Sequence, residues 1–192
     1  DLGEEVLVLQ TGCMGTCAVG PVMIIQPSNT FYIKLTPETV KTVLSSHILN
    51  DKISEKYTYY DSTLQCHVPN IDDIDFFKKQ VRIALRNCGR MEHGSIEAYI
   101  ARNGYQAAAE WIKNHESKDV VNEVKRSGLK GRGGAGFPTG IKWEAAYREK
   151  DEDKYIVCNA DEGDPGAFMD RSLIEGDPHS LIEGMLIGGY AI

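Results

Sequence analysis

The stretch Ser127–Trp143 (SGLKGRGGAGFPTGIKW) constrains this chain more than any other part of it. Six glycines fall within the thirteen residues from Gly128 to Gly140. Glycine accepts backbone angles that other residues avoid, and its missing side chain lets a flat or anionic ligand touch the main chain. A structural turn needs one or two glycines, so the excess is better explained by close backbone approach to a ligand. Lys130, Arg132 and Lys142 interrupt or follow the glycines, and cations beside such a loop suit phosphate. Sixteen residues after Trp143 comes the acidic run Asn159–Gly166 (NADEGDPG). A basic glycine loop followed by a polar acidic loop describes a nucleotide or flavin site.

Two familiar glycine motifs fail on context. Gly131-Arg132-Gly133-Gly134-Ala135-Gly136 fits G-x-G-x-x-G formally, but the dinucleotide fingerprint needs a strand before the loop. Here the preceding residues, VVNEVKRSG, read as helix. The phosphate-binding loop fails as well, because no Gly-Lys-Ser/Thr follows Gly136.

The rest of the chain reads as short elements. Glu5–Leu9 is expected to be a buried strand, followed by a Gly/Cys turn to Pro21. Val22–Ile25 and Phe31–Leu35 read as further strands. Thr36-Pro37-Glu38 is a helix start, with Thr as N-cap and Pro in the first turn. That helix carries Val40, Val43, Leu44 and Ile48 on one face. Asn50–Asp73 reads as an irregular linker. Phe76–Asn87 has apolar residues at helical spacing, and Ser95–Arg102, Tyr105–Lys113, Asp119–Arg126 and Lys142–Glu149 read as helices. Lys154–Cys158 (KYIVC) is expected to be a buried strand with the acidic loop at its carboxyl end, where open α/β sheets gather ligands. Ser172–Ile192 supplies more apolar helix.

With 192 residues, 42% of them hydrophobic, the chain can form one sizeable domain or two small ones. Its net charge of −7 and lack of a basic stripe argue against nucleic acid as partner. No apolar run approaches the ~20 residues that span a bilayer, and no signal peptide is visible. The Asp1 start and the apolar run Leu181–Ile192 suggest a piece of a longer chain. The five cysteines, an odd number, favour a reducing, cytoplasmic compartment. Cys66, Cys88 and Cys158 are isolated and read as small buried hydrophobes. His47, His67, His93, His115 and His179 are scattered and read as surface or helix-end residues.

Cys13-Met-Gly-Thr-Cys17 is different. Two thiols four residues apart on a glycine turn can clamp one metal centre, although iron–sulfur clusters usually need four cysteine ligands. A redox dithiol or two structural thiols are the alternatives.

The two long motifs together, Gly131–Gly140 with Lys142-Trp143 and Asn159–Arg171 (NADEGDPGAFMDR), resemble the NADH-oxidising flavoprotein subunit of respiratory complex I. They are still more similar to the corresponding subunit of NAD(P)-linked iron hydrogenases. Asp75–Gly89 and Ile96–Ile100 resemble the lead-in helices of that hydrogenase-type branch. The resemblance implies an FMN site that also admits NAD(H) or NADP(H). Gly131, Arg132 and Gly133 would lie against FMN, with Lys142 near its phosphate or ring. Asn159, Asp161 and Glu162 would bond polar atoms of the flavin or its ribityl chain. Gly134, Ala135 and Phe137 would line the NADH side, Phe137 by stacking. Asp164 stands where many respiratory members carry Glu, and Ala145 where many carry Phe, with Tyr147 a candidate replacement wall. No nucleophile or acid–base triad is required, because FMN carries the hard step.

The turn from Gly12 to Pro21 resembles the second half of a thioredoxin-like [2Fe–2S] ferredoxin domain, which would make Cys13 and Cys17 half of a cluster's ligands. The expected fold is therefore α/β. Residues 1–50 would be the C-terminal part of the thioredoxin-like domain and 51–74 a linker. Residues 75–192 would hold the helical lead-in and first part of an α/β FMN-binding domain. A [4Fe–4S]-ligating segment, present in the family, would lie outside this chain. The implied function is hydride transfer from NAD(P)H to FMN and release of single electrons to iron–sulfur clusters, within a multi-subunit complex containing iron–sulfur subunits and, in one branch, a hydrogenase catalytic subunit. That complex would be cytoplasmic or peripheral to a membrane. The alternatives are a non-catalytic iron–sulfur relay module and the flavoprotein subunit of NAD-linked formate dehydrogenase. The Arg132-Gly133-Gly134 form argues against Rnf-type complexes.

Overall fold

The computed structural model describes residues 6–192. The described residues divide into two compact units, one formed by residues 13–89 and the other by residues 90–192 with residues 6–12.

The unit at 13–89 is built on small sheets. Strands β1 (Met23–Ile25) and β2 (Thr30–Tyr32) pair antiparallel with Ile24 opposite Phe31. Side chains alternate across a strand, so Phe31 enters a core with Ile71 and Ile74, while Tyr32 enters another with Leu35 and Val43. Helix α1 (Pro37–Leu44) starts as expected: Thr36 Oγ1 accepts from Thr39 N, and Thr39 returns the bond to the Thr36 amide. It runs on as a π-helical turn, Ser45–Leu49. His47 lies there and is buried, with Nδ1 2.8 Å from the Tyr32 hydroxyl. Of the two placings expected for it, surface or helix end, His47 takes the second: it lies in the last turn of this element and is not at the surface.

Asn50–Asp73 is not a plain linker. It carries the hairpin β3 (Tyr59–Asp61) and β4 (Cys66–Val68). The flanks of this hairpin pair with the free edge of β2, where Phe31 N donates to Pro69 O and Ile33 N to Tyr57 O. The sheet edge thus finds its partners in residues whose polarity reads as loop.

The helix expected at Phe76–Asn87 is reduced to α2 (Asp75–Lys78). Phe77 packs edge-on against Phe31, but Val81 (90% exposed) and Ile83 (71%) meet no core. A short amphipathic helix depends on packing of its apolar face, and Val81 and Ile83 have no such packing. Cys88 is buried as expected, whereas Cys66 and Cys158 are exposed.

The second unit is helical: α3 (Ile96–Ala101), α4 (Gln106–Asn114), α5 (Ser117–Ser127), α6 (Thr139–Arg148), α7 (Met169–Gly176) and α8 (Pro178–Ala191). Helix α8 touches each of the other five. It is apolar and rich in glycine, and Val120, Val121 and Ala191 form the buried centre with Trp111, Trp143 and Ile187 around it. The apolar run Ser172–Ile192 breaks at Asp177-Pro178, where Asp177 Oδ1 accepts from Ser180 N and caps α8. Gly140 of α6 fits where a Cβ would come 2.6 Å from the Lys125 backbone, which brings α5 and α6 into close contact.

No strand ladder is present among the described residues of this unit. Lys154–Cys158 and Val6–Leu9 are extended or irregular rather than buried strands. Tyr155 is 77% and Val157 81% exposed, and only Ile156 between them turns inward, near Trp143 and Gly188. Extended backbone becomes sheet only when another strand takes its N–H and C=O groups. The described residues supply none, so the expected α/β layer is seen here as helices alone. Glu5 lies outside the described residues. No described helix is long and apolar enough to cross a membrane.

Candidate functional site

The glycine loop is held at its two ends. Gly128 caps α5 in the left-handed conformation at φ 68°, which glycine adopts without strain. Gly131 N then donates to Phe137 O at 2.8 Å, and Thr139 N to Leu129 O at 2.9 Å. These bonds pair Lys130 with Pro138 and bring Gly131 and Phe137 together at the base of the loop. Arg132 to Ala135 form its tip.

Helix α6 begins at Thr139 rather than Lys142, with Pro138 as N-cap and no side-chain cap. Its first turn therefore lies directly against the loop. The signal was Pro138, since proline favours the start of a helix. Below the loop, α5 and α6 are tied by Lys125 Nζ to Glu144 at 2.9 Å, and Arg148 holds the other oxygen of Glu144 at 2.7 Å. The Lys125 hydrogen bond, followed by the charge of Arg148, holds the Glu144 carboxyl below the usual range.

Gly134 (φ 97°) and Gly136 (φ 61°) occupy left-handed backbone. Gly133 does not, and a Cβ there would meet nothing within 4 Å. No packing or backbone angle of the protein accounts for glycine at 133. Phe137 is 51% exposed, so it is not a core residue. Lys130, Arg132 and Lys142 pair with no carboxylate among the described residues. The loop therefore presents backbone, unpaired cations and an aromatic ring, a donor set suited to a phosphorylated flat ligand.

The acidic loop Asn159–Gly166 follows the exposed extended segment. Asn159 Oδ1 accepts from Asp161 N at 3.1 Å, which turns the chain. The Asp161 and Asp164 side chains are exposed and make no hydrogen bond or ion pair among the described residues. Glu162 behaves differently: its Oε1 accepts from Asp170 N at 2.7 Å and its Oε2 from Arg171 N at 3.3 Å. No hydrogen bond joins the two loops among the described residues.

Cys13 and Cys17 are both exposed, and Gly15 N donates to Cys13 Sγ at 3.4 Å. No third His, Cys, Asp or Glu joins them in a metal-sized group among the described residues. Two thiolates do not complete a cluster, so no chemical step follows from this pair by itself.

A polar cluster that motif reading missed joins α3, α4 and α8. Glu183 of α8 is buried; Tyr99 donates its hydroxyl to Oε2, and Ala108 N donates to Oε1 at 3.1 Å. The Tyr105 hydroxyl lies 2.8 Å from His179 Nδ1. Burial, then the charges of Glu183 and Asp177, push the Tyr105 phenol up. No local spacing rule could have found partners 75 residues apart.

Residues 124–192 match a protein family described as the Nuo51 FMN-binding domain. The chain is 61% identical over 115 residues to HndC of the NADP-reducing hydrogenase of Solidesulfovibrio fructosivorans, covering 60% of this chain and 23% of that protein. It is 49% identical over 112 residues to a subunit of the NADH-quinone oxidoreductase of Aquifex aeolicus, covering 58% of this chain and 26% of that protein. Against the Escherichia coli protein of the same name it is 45% identical over 98 residues, covering 50% and 22%. A solved NAD+-reducing [NiFe]-hydrogenase in the air-oxidized state covers 91% of this chain and 26% of its own, at 26% identity and a TM-score of 0.44. The chain thus spans about a quarter of the length of these relatives. The resemblance carried by the two loop motifs is borne out: this chain is similar to the flavoprotein subunits of complex I and of NAD(P)-linked hydrogenases.

Proposed function

We propose that this chain is part of an NAD(P)H dehydrogenase flavoprotein subunit that takes hydride from NAD(P)H at FMN and passes single electrons to iron–sulfur centres. The observation that carries this reading is Gly133. Its backbone does not demand glycine and the protein leaves room for a side chain there, so a ligand lying against the main chain is the remaining reason for it. The match of residues 124–192 to the FMN-binding family names the ligand class.

FMN, when bound, supplies the exchange between two-electron and one-electron chemistry. The residues of this chain bind and orient. Gly131, Arg132 and Gly133 offer backbone and a cation to the flavin, and Lys142 offers a second cation for phosphate. Gly134, Ala135 and Phe137 form the nicotinamide-dinucleotide side, where the exposed Phe137 ring is available for stacking. Asn159 and Asp161 take the polar atoms of the flavin chain, with Asp164 beside the nicotinamide. Cys13 and Cys17 supply two of the four thiolates of a [2Fe–2S] cluster in a thioredoxin-like domain completed elsewhere. A [4Fe–4S] cluster belongs to the part of such subunits that this chain does not span. The partners are the iron–sulfur and catalytic subunits of a cytoplasmic or membrane-peripheral complex, consistent with relatives that are themselves named as subunits.

Gly133→Ala in the full-length protein tests the reading. The side chain has space in the protein, so the melting temperature stays within about 2 °C of the parent. FMN content, read by flavin absorbance, and NAD(P)H–ferricyanide activity both fall by at least roughly tenfold, a loss of about 1.4 kcal/mol of binding. An alanine variant with full flavin and full activity removes the ligand explanation for this glycine.

A further inference from the structure

Glu162 sits among the acidic residues of the candidate flavin loop, yet both of its oxygens are already in use. Helix α7 opens after Phe168, which provides no side-chain cap. The first amides of a helix have no partners within it. Glu162 reaches forward from the loop and accepts two of them, Asp170 N at 2.7 Å and Arg171 N at 3.3 Å. A carboxylate at a helix N-terminus is also favoured by the helix dipole.

The backbone around Glu162 fits this task. Glu162 itself is left-handed at φ 51°, a conformation that non-glycine residues adopt only when the surroundings hold them in it. Between Glu162 and α7, Ala167 N donates to Asp164 O at 3.1 Å and Gly166 turns at φ 87°. The segment is thereby closed into a ring, with the Glu162 carboxylate as the clasp. Its neighbours differ from it: Asp161 and Asp164 are exposed with no protein partner among the described residues, whereas Glu162 is half-buried.

We propose that Glu162 is a positioning residue, whose carboxylate clasps the Asn159–Gly166 loop to the N-terminus of α7 and reaches the flavin only through the placement of Asn159 and Asp161. This rests on the flavin reading above and divides the acidic loop by task. Asp161 faces the ligand; Glu162 holds the loop that carries Asp161.

Two readouts on the full-length protein separate this from direct flavin contact. The first does not depend on flavin: hydrogen exchange in a peptide containing the Asp170 and Arg171 amides. In Glu162→Ala these amides lose their acceptor, and their exchange speeds roughly fivefold, the size of a lost helix cap. Glu162→Gln keeps one acceptor oxygen and falls between parent and alanine variant, while Asp161→Ala leaves the two amides at the parent rate. The second readout uses FMN and NADH. Glu162→Ala weakens FMN binding, but at saturating FMN its rate of flavin reduction stays within about twofold of the parent, whereas Asp161→Ala lowers it further. Unchanged exchange at Asp170 and Arg171 in Glu162→Ala overturns the proposal, as does a flavin-reduction rate at saturating FMN that falls as far as in Asp161→Ala. If the parent itself takes up no FMN, the flavin reading fails, while the exchange measurement still decides whether Glu162 is the clasp.

Discussion

Glu183 caps a helix to which it does not belong: its Oε1 accepts the amide of Ala108, in the first turn of α4, at 3.1 Å. The N-cap of α4 is Tyr105, in left-handed backbone at φ 61° and with no side-chain cap of its own. Tyrosine is poorly suited to that conformation, and its ring is held by Tyr99 and His179 while its hydroxyl meets His179. A distant carboxylate thus does what a Ser or Asp at the cap would normally do.

Removing that carboxylate should be costly. Glu183→Ala removes from a buried site the acceptor of the Ala108 amide and of the Tyr99 hydroxyl, a loss of about 3 kcal/mol. Glu183→Gln keeps an acceptor for Ala108 and should lose only about 1 kcal/mol. Urea unfolding of the two variants checks the order, and an alanine variant within about 0.5 kcal/mol of the parent would show that the cap contributes little.

Two glycines should respond in opposite proportion to their backbone angles. A Cβ on Gly104 would lie 2.0 Å from Tyr99 Cδ1, so Gly104→Ala must displace a buried ring and with it the bond to Glu183. The expected loss is about 3 kcal/mol. Gly128 sits at φ 68° with nothing within 4 Å of a Cβ, and Gly128→Ala carries only the left-handed penalty, about 1 kcal/mol. Thermal unfolding of both variants measures the ranking; the reverse order would contradict this account of the Tyr99 contact.

The pair beneath the glycine loop should show in acid. Glu144 titrates below the ordinary glutamate value, first because Lys125 hydrogen-bonds it and then because Arg148 lies near. A carboxyl whose folded pKa is depressed adds stability above its unfolded pKa, and that contribution disappears as pH falls through the folded value. Lys125→Met should therefore raise the Glu144 pKa, followed by NMR. The stability gap between parent and variant should be open at neutral pH and close on acidification below the usual glutamate range. A gap that widens in acid would reverse the sign.

Local chemistry was readable where it was self-contained. Thr36-Pro37 announces α1, Gly128 announces the end of α5, and the crowding of glycines from Gly131 to Gly136 announces a surface made of backbone. What escaped depends on partners far along the chain. Val81 and Ile83 belong to a run, Phe76–Asn87, whose apolar residues recur at helical spacing, but spacing says nothing about whether a core stands opposite. KYIVC has the composition of a strand, and composition cannot supply the neighbouring ladder. Glu162 looks like one more acid in an acidic run, and its role emerges only when α7 presents two amides to it.

The central place of α8 has a consequence during synthesis. Chain emerges at about 5–20 residues per second, so Ala108 leaves the ribosome roughly 4–15 s before Glu183 reaches it. For that interval α3 to α7 lack the helix against which all of them pack, and α4 starts without its cap. The second unit should therefore gain its protease resistance late and in one step, as the segment Asp177–Ala191 becomes free to dock.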